Sequence, residues 1–372
     1  PYLCKYLEDI GVSTTLLSVR YHDKEENEVI KKNNMKWRSF AYRFIKKLSY
    51  SYSLKIYLNN LLLSEKKIVL HTHNLWNYIP FIAFTLAQKY DIPLIVAARG
   101  SLFPWSLNQN KIIKKIAWKL FQKKILNKAT FIHATNIEEV KSIKDLGITS
   151  PIALVPNGVD LQEFKLINDK KKSKSSLDLD QNKNYILFLS RIHPVKGLEF
   201  LVKSWISMAM RYQNWDLLIV GPVYDENYLK ETYDLVVKNK LTDRIYFKGM
   251  LTGNDRINAF AASDIFALPS FTENFGLAIV EAMAAKLPVL TTQNTPWKEI
   301  KDIMLVGGVG VESENINAAL AEALLCSGEE LKERGLNGYK LAKKYEWKIQ
   351  AQKIKQLYEY ALNGKKKPNF VY

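Results

Sequence analysis

Apolar and polar positions divide the first half of the chain into alternating strands and helices. Short apolar runs predict strands at Ser13 to Val19, Lys67 to His71, Ile92 to Ala97, Thr130 to Ala134 and Ile152 to Val155. Apolar residues recur at helical spacing in Leu3 to Ile10, Tyr78 to Tyr90, Ile112 to Leu126 and Ile137 to Leu146. Such alternation predicts a parallel sheet with helices on both faces.

The alternation is interrupted once and then restarts. The polar, Lys/Ser/Asp-rich stretch Lys165 to Asn184 is interpreted as a solvated linker between domains. Strands are predicted beyond it at Tyr185 to Leu189, Asp216 to Val220, Arg244 to Phe247, Asp264 to Leu268 and Pro288 to Thr291. Helices are predicted at Gly197 to Met210, Asn227 to Asn239, Asp255 to Ala262, Leu277 to Ala285, Ile316 to Tyr345 and Trp347 to Leu362.

This pattern predicts an α/β protein with two doubly wound domains that face each other across a cleft. The domains are placed at residues 1–165 and 166–346, with a final helical segment at 347–372. Doubly wound domains normally open with a strand and a Gly-rich turn, whereas Pro1 and Tyr2 lead straight into a helical pattern. The first strand is therefore expected to be missing from the sequence.

Composition limits the class of protein. A chain of 372 residues that is 47% hydrophobic has enough apolar surface for two globular cores. The apolar run Ile79 to Ala87 is too short to cross a bilayer. Cys4 and Cys326 share no motif spacing, so no disulfide framework or cysteine metal site is expected, and a cytoplasmic location is favoured.

The net charge of +17 is concentrated in the first half of the chain. Residues 1–165 contain 25 Lys+Arg and 13 Asp+Glu, a balance of +12 (25 − 13), which leaves +5 (17 − 12) for the rest. A basic first domain favours a polyanionic partner: anionic lipid, nucleic acid or a phosphorylated acceptor. Nucleic acid is disfavoured because no recognition module accompanies the charge.

The segment from Phe271 to Glu281 is the most informative one for function. Glu273 follows a predicted strand, and Glu281 lies eight positions later in the next predicted helix. The intervening Asn274, Phe275, Gly276 and Leu277 lead into that helix, whose first free N–H groups suit phosphate oxygens. Two carboxylates there can accept hydrogen bonds from hydroxyl groups at the two ends of a sugar nucleotide. A solvated Glu beside an ordinary helix is the simpler interpretation of either residue alone.

Two cations follow the first strand of the second domain. Arg191 comes directly after that strand, and Lys196 precedes a helix that opens at Gly197. Loops at the carboxyl ends of strands bind ligands in open α/β sheets, and an Arg with a Lys suits a diphosphate. Gly221 ends another strand, where it would let the backbone approach a base or ribose.

Polar residues also follow two strands of the first domain. His71 and His73 alternate along one strand, so one of them is expected to point into the cleft, and Arg99 with Gly100 follows the next strand. The histidine pair allows a metal site, but no third ligand accompanies it, and polar lining of the cleft is favoured. Asp178 and Asp180 resemble the acidic triplet that binds metal in one class of sugar transferases; their place in the linker argues against that role.

Basic residues recur on two stretches that contain aromatic residues. Lys111, Lys115, Lys119 and Lys123 repeat every fourth residue beside Trp118, with Ile112, Ile113, Ile116, Leu120 and Phe121 on the other side. A second such stretch runs from Lys31 to Lys47. Helices of this kind can lie on anionic membranes, or they can pack on a sheet with a solvated Lys face.

Together these residues resemble the group 1 glycosyltransferases (glycosyltransferase family 4), retaining enzymes of the GT-B fold. The resemblance covers nearly the whole chain, through Pro156 to Asp160, Ser190 to Gly197, Val220 and Gly221, Ala262 to Ser270, and the pair Glu273 and Glu281. Many relatives have His-Gly where this chain has Arg99 and Gly100, so a donor-side histidine role is not carried over to that position.

The resemblance implies roles for individual residues. It implies that Arg191 and Lys196 bind the donor diphosphate, that Glu281 holds the ribose, and that Glu273 with the backbone after it contacts the donor sugar. It also implies that a final helix from Trp347 to Leu362 crosses back onto the first domain.

The sequence therefore predicts a metal-independent hexosyltransferase that uses a nucleotide-sugar donor and a saccharide or lipid-linked acceptor in glycan biosynthesis. Glu273, His73 and Arg99 are its candidate catalytic residues. No cofactor is expected, and an anionic membrane surface is the expected further partner. A sugar-nucleotide epimerase of the same fold is the alternative.

Overall fold

A computed structural model of the chain describes residues 1–20, 35–42, 49–65, 67–165, 169–297, 313–364 and 366–372. These residues form two compact units. The first unit comprises Pro1–Gly158 and Trp347–Tyr372, and the second comprises Val159–Glu346.

The first unit contains parallel strands in two sheets. Strands β1 (Leu16–Arg20) and β2 (Trp37–Ala41) pair with each other. A second sheet has the order β3-β4-β5-β6, with strands Leu70–His73, Leu94–Ala97, Phe131–Ala134 and Ile152–Leu154. Its four strands lie side by side in chain order and all are parallel. The carboxyl ends of these strands therefore share one edge of the sheet.

Helices connect and cover these strands. They span Tyr2–Glu8, Tyr52–Ser64, Tyr78–Tyr90, Pro104–Asn108, Lys111–Ala117, Lys123–Lys128, Ile137–Asp145 and Trp347–Asn363, with a π-helical turn at Trp118–Gln122. The final helix buries Ile354 and Leu357 against Leu7, Ile95 and Phe131 of the same unit. It therefore completes the core of the first unit.

The second unit has one five-stranded parallel sheet. Its strands are β7 (Asn184–Leu189), β8 (Trp215–Val220), β9 (Ile245–Phe247), β10 (Ile265–Leu268) and β11 (Val289–Thr291), in the order β11-β10-β7-β8-β9. The chain runs from β7 outward to β8 and β9, and then crosses to β10 and β11 on the other side. The direction of winding thus reverses between β7 and β10, where doubly wound sheets bind ligands at the carboxyl ends.

The helices of the second unit cover both faces of that sheet. They span Leu161–Lys165, Lys170–Ser176, Leu198–Met208, Glu226–Lys238, Gly253–Ala262, Leu277–Ala284, Ser313–Leu325 and Gly328–Ala342, with 3₁₀ turns at Pro194–Lys196 and Lys343–Tyr345. Strands β7, β8 and β10 are buried almost throughout, as expected for a sheet that is covered on both faces.

The structure corrects the predicted domain boundary. The first unit ends at Gly158, earlier than residue 165, because the following residues pack into the second unit. The Val159 N–H donates to the Tyr345 carbonyl at 2.8 Å, and Phe164 packs edge-on against Phe260.

The solvated linker is also corrected. Where the structure describes this stretch, a helix covers Lys170–Ser176, and Leu177 and Leu179 are buried in the core that follows it. Lys170 forms an ion pair with Asp264. The prediction was based on the high content of Lys and Ser and gave too little weight to Leu177 and Leu179, whose burial attaches the segment to the second unit.

The second basic-aromatic stretch is not a helix in its described part. Trp37–Ala41 forms β2, and the Trp37 indole donates a hydrogen bond to the Ser18 hydroxyl at 2.9 Å. Short runs of aromatic and alternating residues favour strands, and pairing with β1 satisfies the backbone. Residues 31–34 and 43–47 of that stretch lie outside the described residues.

Candidate active site

The loops that follow β7 and β10 carry a nearly buried ion pair. Lys196 Nζ donates to Oε1 of Glu273 at 2.5 Å, and the two side chains are 9% and 10% exposed. The Ser270 hydroxyl donates to the same Oε1 at 2.7 Å. Both loops flank the point at which the winding of the sheet reverses. The structure thus brings together two of the residues that the sequence singled out.

The close approach of those two loops depends on Gly197. Its φ of +68° is left-handed, and a Cβ atom there would lie 2.1 Å from the Pro269 carbonyl oxygen. The Phe271 N–H donates to the Val195 carbonyl at 2.9 Å, which ties the loops together. Only glycine fits between the backbones, so the turn places Lys196 against Glu273.

Arg191 lies on the same loop as Lys196 but is exposed. Its guanidinium carbon lies 5.0 Å from the centre of the Tyr224 ring. Within the described ranges it forms no ion pair. An exposed guanidinium that rests on an aromatic ring remains available to an anionic ligand.

Gly221 holds the loop after β7 against the loop after β8. A Cβ atom at this position would lie 1.7 Å from the Ser190 carbonyl oxygen. The Gly221 N–H donates to the Gly249 carbonyl at 2.8 Å. In the second unit, glycine at position 221 therefore allows the backbone to pass close to Ser190, the residue before Arg191.

Backbone N–H groups are available where the helix Leu277–Ala284 begins. Gly276 has a φ of +72°, and the Phe275 ring is buried against Trp297 and Tyr345. The Trp297 indole donates to the Phe275 carbonyl at 2.5 Å. These contacts fix the turn. Among the described residues, the N–H groups of Gly276, Leu277 and Ala278 donate to no acceptor, as at an anion-binding helix terminus.

Glu281 lies one turn into that helix. Arg256 donates to Oε1 of Glu281 at 2.6 Å and to Oε2 of Glu163 at 2.7 Å. Burial raises the pKa of Glu281, while the positive charge of Arg256 acts in the opposite direction. Sequence reasoning missed Arg256. The signal was its position in the first turn of the helix after β9, which begins at the same edge of the sheet.

In the first unit, Arg99 joins the ends of two strands and a later loop. It donates to Nδ1 of His73 at 3.1 Å and forms a short hydrogen bond with Asn157. Arg99 has a left-handed φ of +52°, and the Gly100 N–H donates to buried Glu139 at 2.6 Å. Since Nδ1 of His73 accepts from Arg99, neutral His73 carries its proton on Nε2.

A chain of neutral side chains lies beside Arg99. His133 Nε2 lies 2.7 Å from the Val155 carbonyl, His133 Nδ1 lies 3.2 Å from His71 Nε2, and His71 Nδ1 lies 2.8 Å from the Tyr358 hydroxyl. Desolvation and the charge of Arg99 lower the pKa of His71 to about 3 and that of His133 well below its usual value. The carbonyl accepts, so protons must point from Tyr358 to His71, from His71 to His133, and from His133 to Val155.

The two histidines that the sequence paired thus differ. His71 lies within the hydrogen-bond chain, and His73 presents part of its ring at the surface. Partial desolvation, followed by the charges around it, lowers the pKa of His73 as well. Sequence reasoning missed His133 and Tyr358, which come from a third strand and from the final helix.

Two further features lie apart from the residues described above. A cavity of about 490 Å³, lined in part by Lys144, Tyr360 and Tyr372, lies at the amino ends of β5 and β6. Asp178 and Asp180 precede β7, at the edge opposite to Glu273. In the described part of the chain, no group of three or more His, Cys, Asp and Glu side chains could hold a metal ion.

Each unit has a parallel sheet, and the carboxyl edge of the second unit's sheet carries cations and free N–H groups that suit a phosphate. This combination is typical of nucleotide-binding α/β proteins. Residues 169–341 match the family "Glycosyl transferases group 1", and residues 2–163 match "Glycosyltransferase Family 4". The two matches together span nearly the whole chain. The chain belongs to the group 1, family 4 glycosyltransferases.

Solved structures establish the fold. HepE from Anabaena in complex with UDP and glucose has a TM-score of 0.75 at 18% identity and covers 96% of this chain and 93% of that chain. Sucrose-phosphate synthase from Thermosynechococcus elongatus has a TM-score of 0.79 at 18% identity and covers 96% of this chain and 91% of that chain. The predicted GT-B fold is confirmed.

Curated relatives match over shorter stretches. The lipopolysaccharide core biosynthesis mannosyltransferase LpsB of Rhizobium meliloti is 30% identical over 152 residues, 40% of this chain and 43% of that protein. A D-inositol 3-phosphate glycosyltransferase of Segniliparus rotundus is 28% identical over 217 residues, 57% of this chain and 48% of that protein. The chain thus spans about half the length of these relatives.

Proposed function

We propose that the chain transfers a hexose-type sugar from a nucleotide-sugar donor to a saccharide or lipid-linked acceptor, with retention of anomeric configuration. The observation that carries this proposal is the cluster at the carboxyl edge of the second unit's sheet. Lys196, Glu273 and the free N–H groups of Gly276 to Ala278 flank the reversal of winding. A diphosphate and a sugar are the ligands that suit this combination of cations, amides and carboxylate.

The cations and the helix terminus assist departure of the nucleoside diphosphate. Arg191 is exposed and can close over a phosphate, while Lys196 and the helix N-terminus contribute charge from fixed positions. Transfer by this route does not require a metal ion, and we propose that none takes part. Activity should therefore persist in EDTA.

Glu273 is assigned to the donor sugar. Oε1 already accepts from Lys196 and Ser270, and in the described part of the chain Oε2 accepts no hydrogen bond. Oε2 is therefore available to a sugar hydroxyl. This assignment makes Glu273 an orienting and charge-stabilising group rather than a nucleophile.

We assign the acceptor to the first unit, where His73 and Arg99 are the candidate catalytic residues. Arg99 fixes the proton of neutral His73 on Nε2, so the ring can donate a hydrogen bond to a substrate oxygen. The charge of Arg99 also favours anionic groups near this edge. Both effects support a role in sugar positioning during transfer.

The names of similar proteins support a nucleotide sugar and an envelope glycan as substrates. A structure of HepE contains UDP-glucose, and LpsB is a lipopolysaccharide core mannosyltransferase. We propose cell-surface polysaccharide or glycan biosynthesis on the cytoplasmic side of a membrane. None of the helices in the described ranges has the length and hydrophobicity needed to cross one.

The helix that begins at Lys111 supports peripheral membrane binding, although its orientation differs from the sequence prediction. Ile112, Ile113, Ile116 and Leu120 are 55–75% exposed, whereas Trp118 and Phe121 pack against the core of the first unit. Exposed lysines lie beside these apolar side chains. An apolar strip bordered by cations matches the boundary between acyl chains and anionic headgroups.

The test is a transfer assay with a panel of UDP- and GDP-hexoses, with and without membrane extract and with and without EDTA. We expect label to enter the extract, and we expect Glu273→Ala to abolish transfer. Conversion of the donor without an acceptor would favour the epimerase. Failure to bind or consume any sugar nucleotide would contradict the proposal.

A further inference from the structure

Arg256 links two carboxylates that come from different helices. It lies in the first turn of Gly253–Ala262 and donates to Oε1 of Glu281 at 2.6 Å and to Oε2 of Glu163 at 2.7 Å. The side chains of Arg256, Glu281 and Glu163 are 20%, 16% and 30% exposed. This shielding makes the charges interact more strongly than a surface pair does.

The carboxylate state of Glu281 depends on this arrangement. Burial raises the pKa of Glu281, and the charge of Glu163 raises it further. The charge and hydrogen bond of Arg256 lower it again. Within the described residues, these are the two charged groups that act on Glu281, and they come from the helices Gly253–Ala262 and Leu161–Lys165. Arg256 is thus the group that opposes the raised pKa of Glu281 and favours its ionised form.

The same contacts fix the rotation of the carboxylate. Oε1 of Glu281 is occupied by Arg256, and in the described part of the chain Oε2 accepts no hydrogen bond. A planar guanidinium held at its other end by Glu163 restricts that orientation more firmly than a lysine would. One oxygen is therefore committed to the protein and one is left for a ligand.

We propose that Arg256 is a positioning residue for the nucleotide: it holds Glu281 as an oriented carboxylate whose Oε2 accepts hydrogen bonds from the ribose hydroxyls. The inference rests on the proposed function and on the ribose-binding role that the family resemblance implies for Glu281. Arg256 thus contributes to ribose recognition indirectly, through Glu281. Glu163 in turn holds the Arg256 side chain in place.

The test is calorimetric binding of UDP, GDP and their 2′-deoxy counterparts between pH 6 and 9. For Arg256→Gln we expect binding to weaken about ten-fold or more, the cost of one charge-assisted contact, and the preference for ribose over deoxyribose to disappear. The weakening should grow as the pH falls, because more Glu281 is then protonated. Because the nucleotide phosphates also change their ionisation over this range, the affinity of each variant is compared with that of the parent at the same pH, which removes their contribution.

Conservative and control variants separate this role from general stability. Arg256→Lys keeps the charge and should recover most of the affinity. Glu163→Gln removes a repulsive charge, so Glu281 should ionise more readily and binding should extend to lower pH. Lys170→Gln removes another cation that is paired with a carboxylate in the same unit, and it should leave the ribose preference unchanged.

Three outcomes decide the matter. If folded Arg256→Gln keeps the ribose preference and the parent's pH profile, Arg256 has no positioning role. If Arg256→Gln does not fold, a folded Arg256→Lys variant that loses affinity while it keeps the parent's ribose preference and pH profile overturns the inference equally. A parent that binds no nucleotide contradicts the proposed function itself, whereas a parent that binds while Arg256→Gln behaves like it contradicts only the role of Arg256.

Discussion

Nζ of Lys196 lies 2.5 Å from Oε1 of Glu273, with both side chains about nine-tenths buried. A shielded charge that loses its partner is costly, so neither residue can be altered without affecting the other. Lys196 is assigned to the donor phosphate and Glu273 to the donor sugar. In this proposal the ion pair therefore links the residue that binds the leaving phosphate to the residue that binds the transferred sugar. Their effects on stability and on binding should therefore separate in a predictable way.

The first prediction is a double-mutant cycle on this pair. We expect Lys196→Met and Glu273→Gln each to lower the free energy of unfolding, by up to about 3–5 kcal/mol, because each leaves one shielded group unpaired. The double variant should lose less than the sum, since no uncompensated charge remains. Urea unfolding of the four proteins measures the coupling.

Nucleotide binding supplies the second readout of the same cycle. Lys196→Met should weaken UDP or GDP binding by about 1.5–3 kcal/mol, whereas Glu273→Gln should spare free nucleotide and lower turnover. The exposed pair Lys203 and Glu199 provides the control, because Lys203→Met should change stability by less than about 1 kcal/mol. Equal loss of nucleotide affinity in both variants of the cycle would show that our assignment along the donor is wrong.

The second prediction concerns the close contact at Gly197. Gly197→Ala places a Cβ atom 2.1 Å from the Pro269 carbonyl oxygen at a φ of +68°. We expect a loss of stability and, because the loops must separate, weaker nucleotide binding. Gly249→Ala is the matched control: its φ is +64°, but nothing lies within 4 Å of the added Cβ atom.

Strain alone should therefore cost Gly249→Ala about 1 kcal/mol and leave binding intact. Thermal unfolding and calorimetry compare the two variants. If both lose stability equally and neither changes nucleotide affinity, the contact with Pro269 does not set the geometry of the site.

The position of Glu273, Glu281, Arg191 and Lys196 at one edge of the sheet could be predicted from the sequence, because strand-end loops of a doubly wound sheet meet there. Their internal partners could not. Arg256 and Tyr358 reach the clusters from helices whose rotation depends on packing, and no local pattern encodes that. Long-range contacts likewise determine the conformation of Trp37–Ala41. A basic-aromatic composition is compatible with either a helix or a strand, and pairing with β1 selects the strand.

The third prediction concerns acid stability of the first unit. Burial lowers the folded-state pKa of His71 to about 3, from an unfolded value near 6.5. Above that unfolded value the group contributes nothing to pH dependence. As the pH falls below it, the unfolded chain binds a proton that the folded chain does not, so stability falls by about 1.4 kcal/mol per pH unit per histidine until the folded pKa is reached.

Unfolding titrations between pH 7 and 4 measure this slope. His71→Gln should reduce the slope by the contribution of one histidine, about 1.4 kcal/mol per pH unit. Tyr358→Phe removes only the hydroxyl that donates to His71, so it should lower the free energy of unfolding but retain the slope. A parent whose unfolding free energy is flat across this range would show that these histidines are protonated in the folded protein.

The fourth prediction concerns the helix that begins at Lys111. Ile112, Ile116 and Leu120 are exposed on successive turns, and Lys115 and Lys119 lie next to them. The strip should insert into the interface while the lysines contact anionic headgroups, each contributing about 1 kcal/mol that salt screens. We expect co-sedimentation with anionic vesicles, strong at low salt and weaker at high salt.

Two variants separate the contributions of charge and apolar surface. Lys115/Lys119/Lys123→Gln should weaken pelleting mainly at low salt, because it removes the electrostatic attraction. Ile112/Ile116/Leu120→Ser should weaken it at both salt concentrations, because burial of apolar surface does not depend on screening. Trp118→Phe is the control, since Trp118 packs inward and should not alter binding. Equal pelleting on neutral and anionic vesicles, or no pelleting of the parent, would show that these side chains face water.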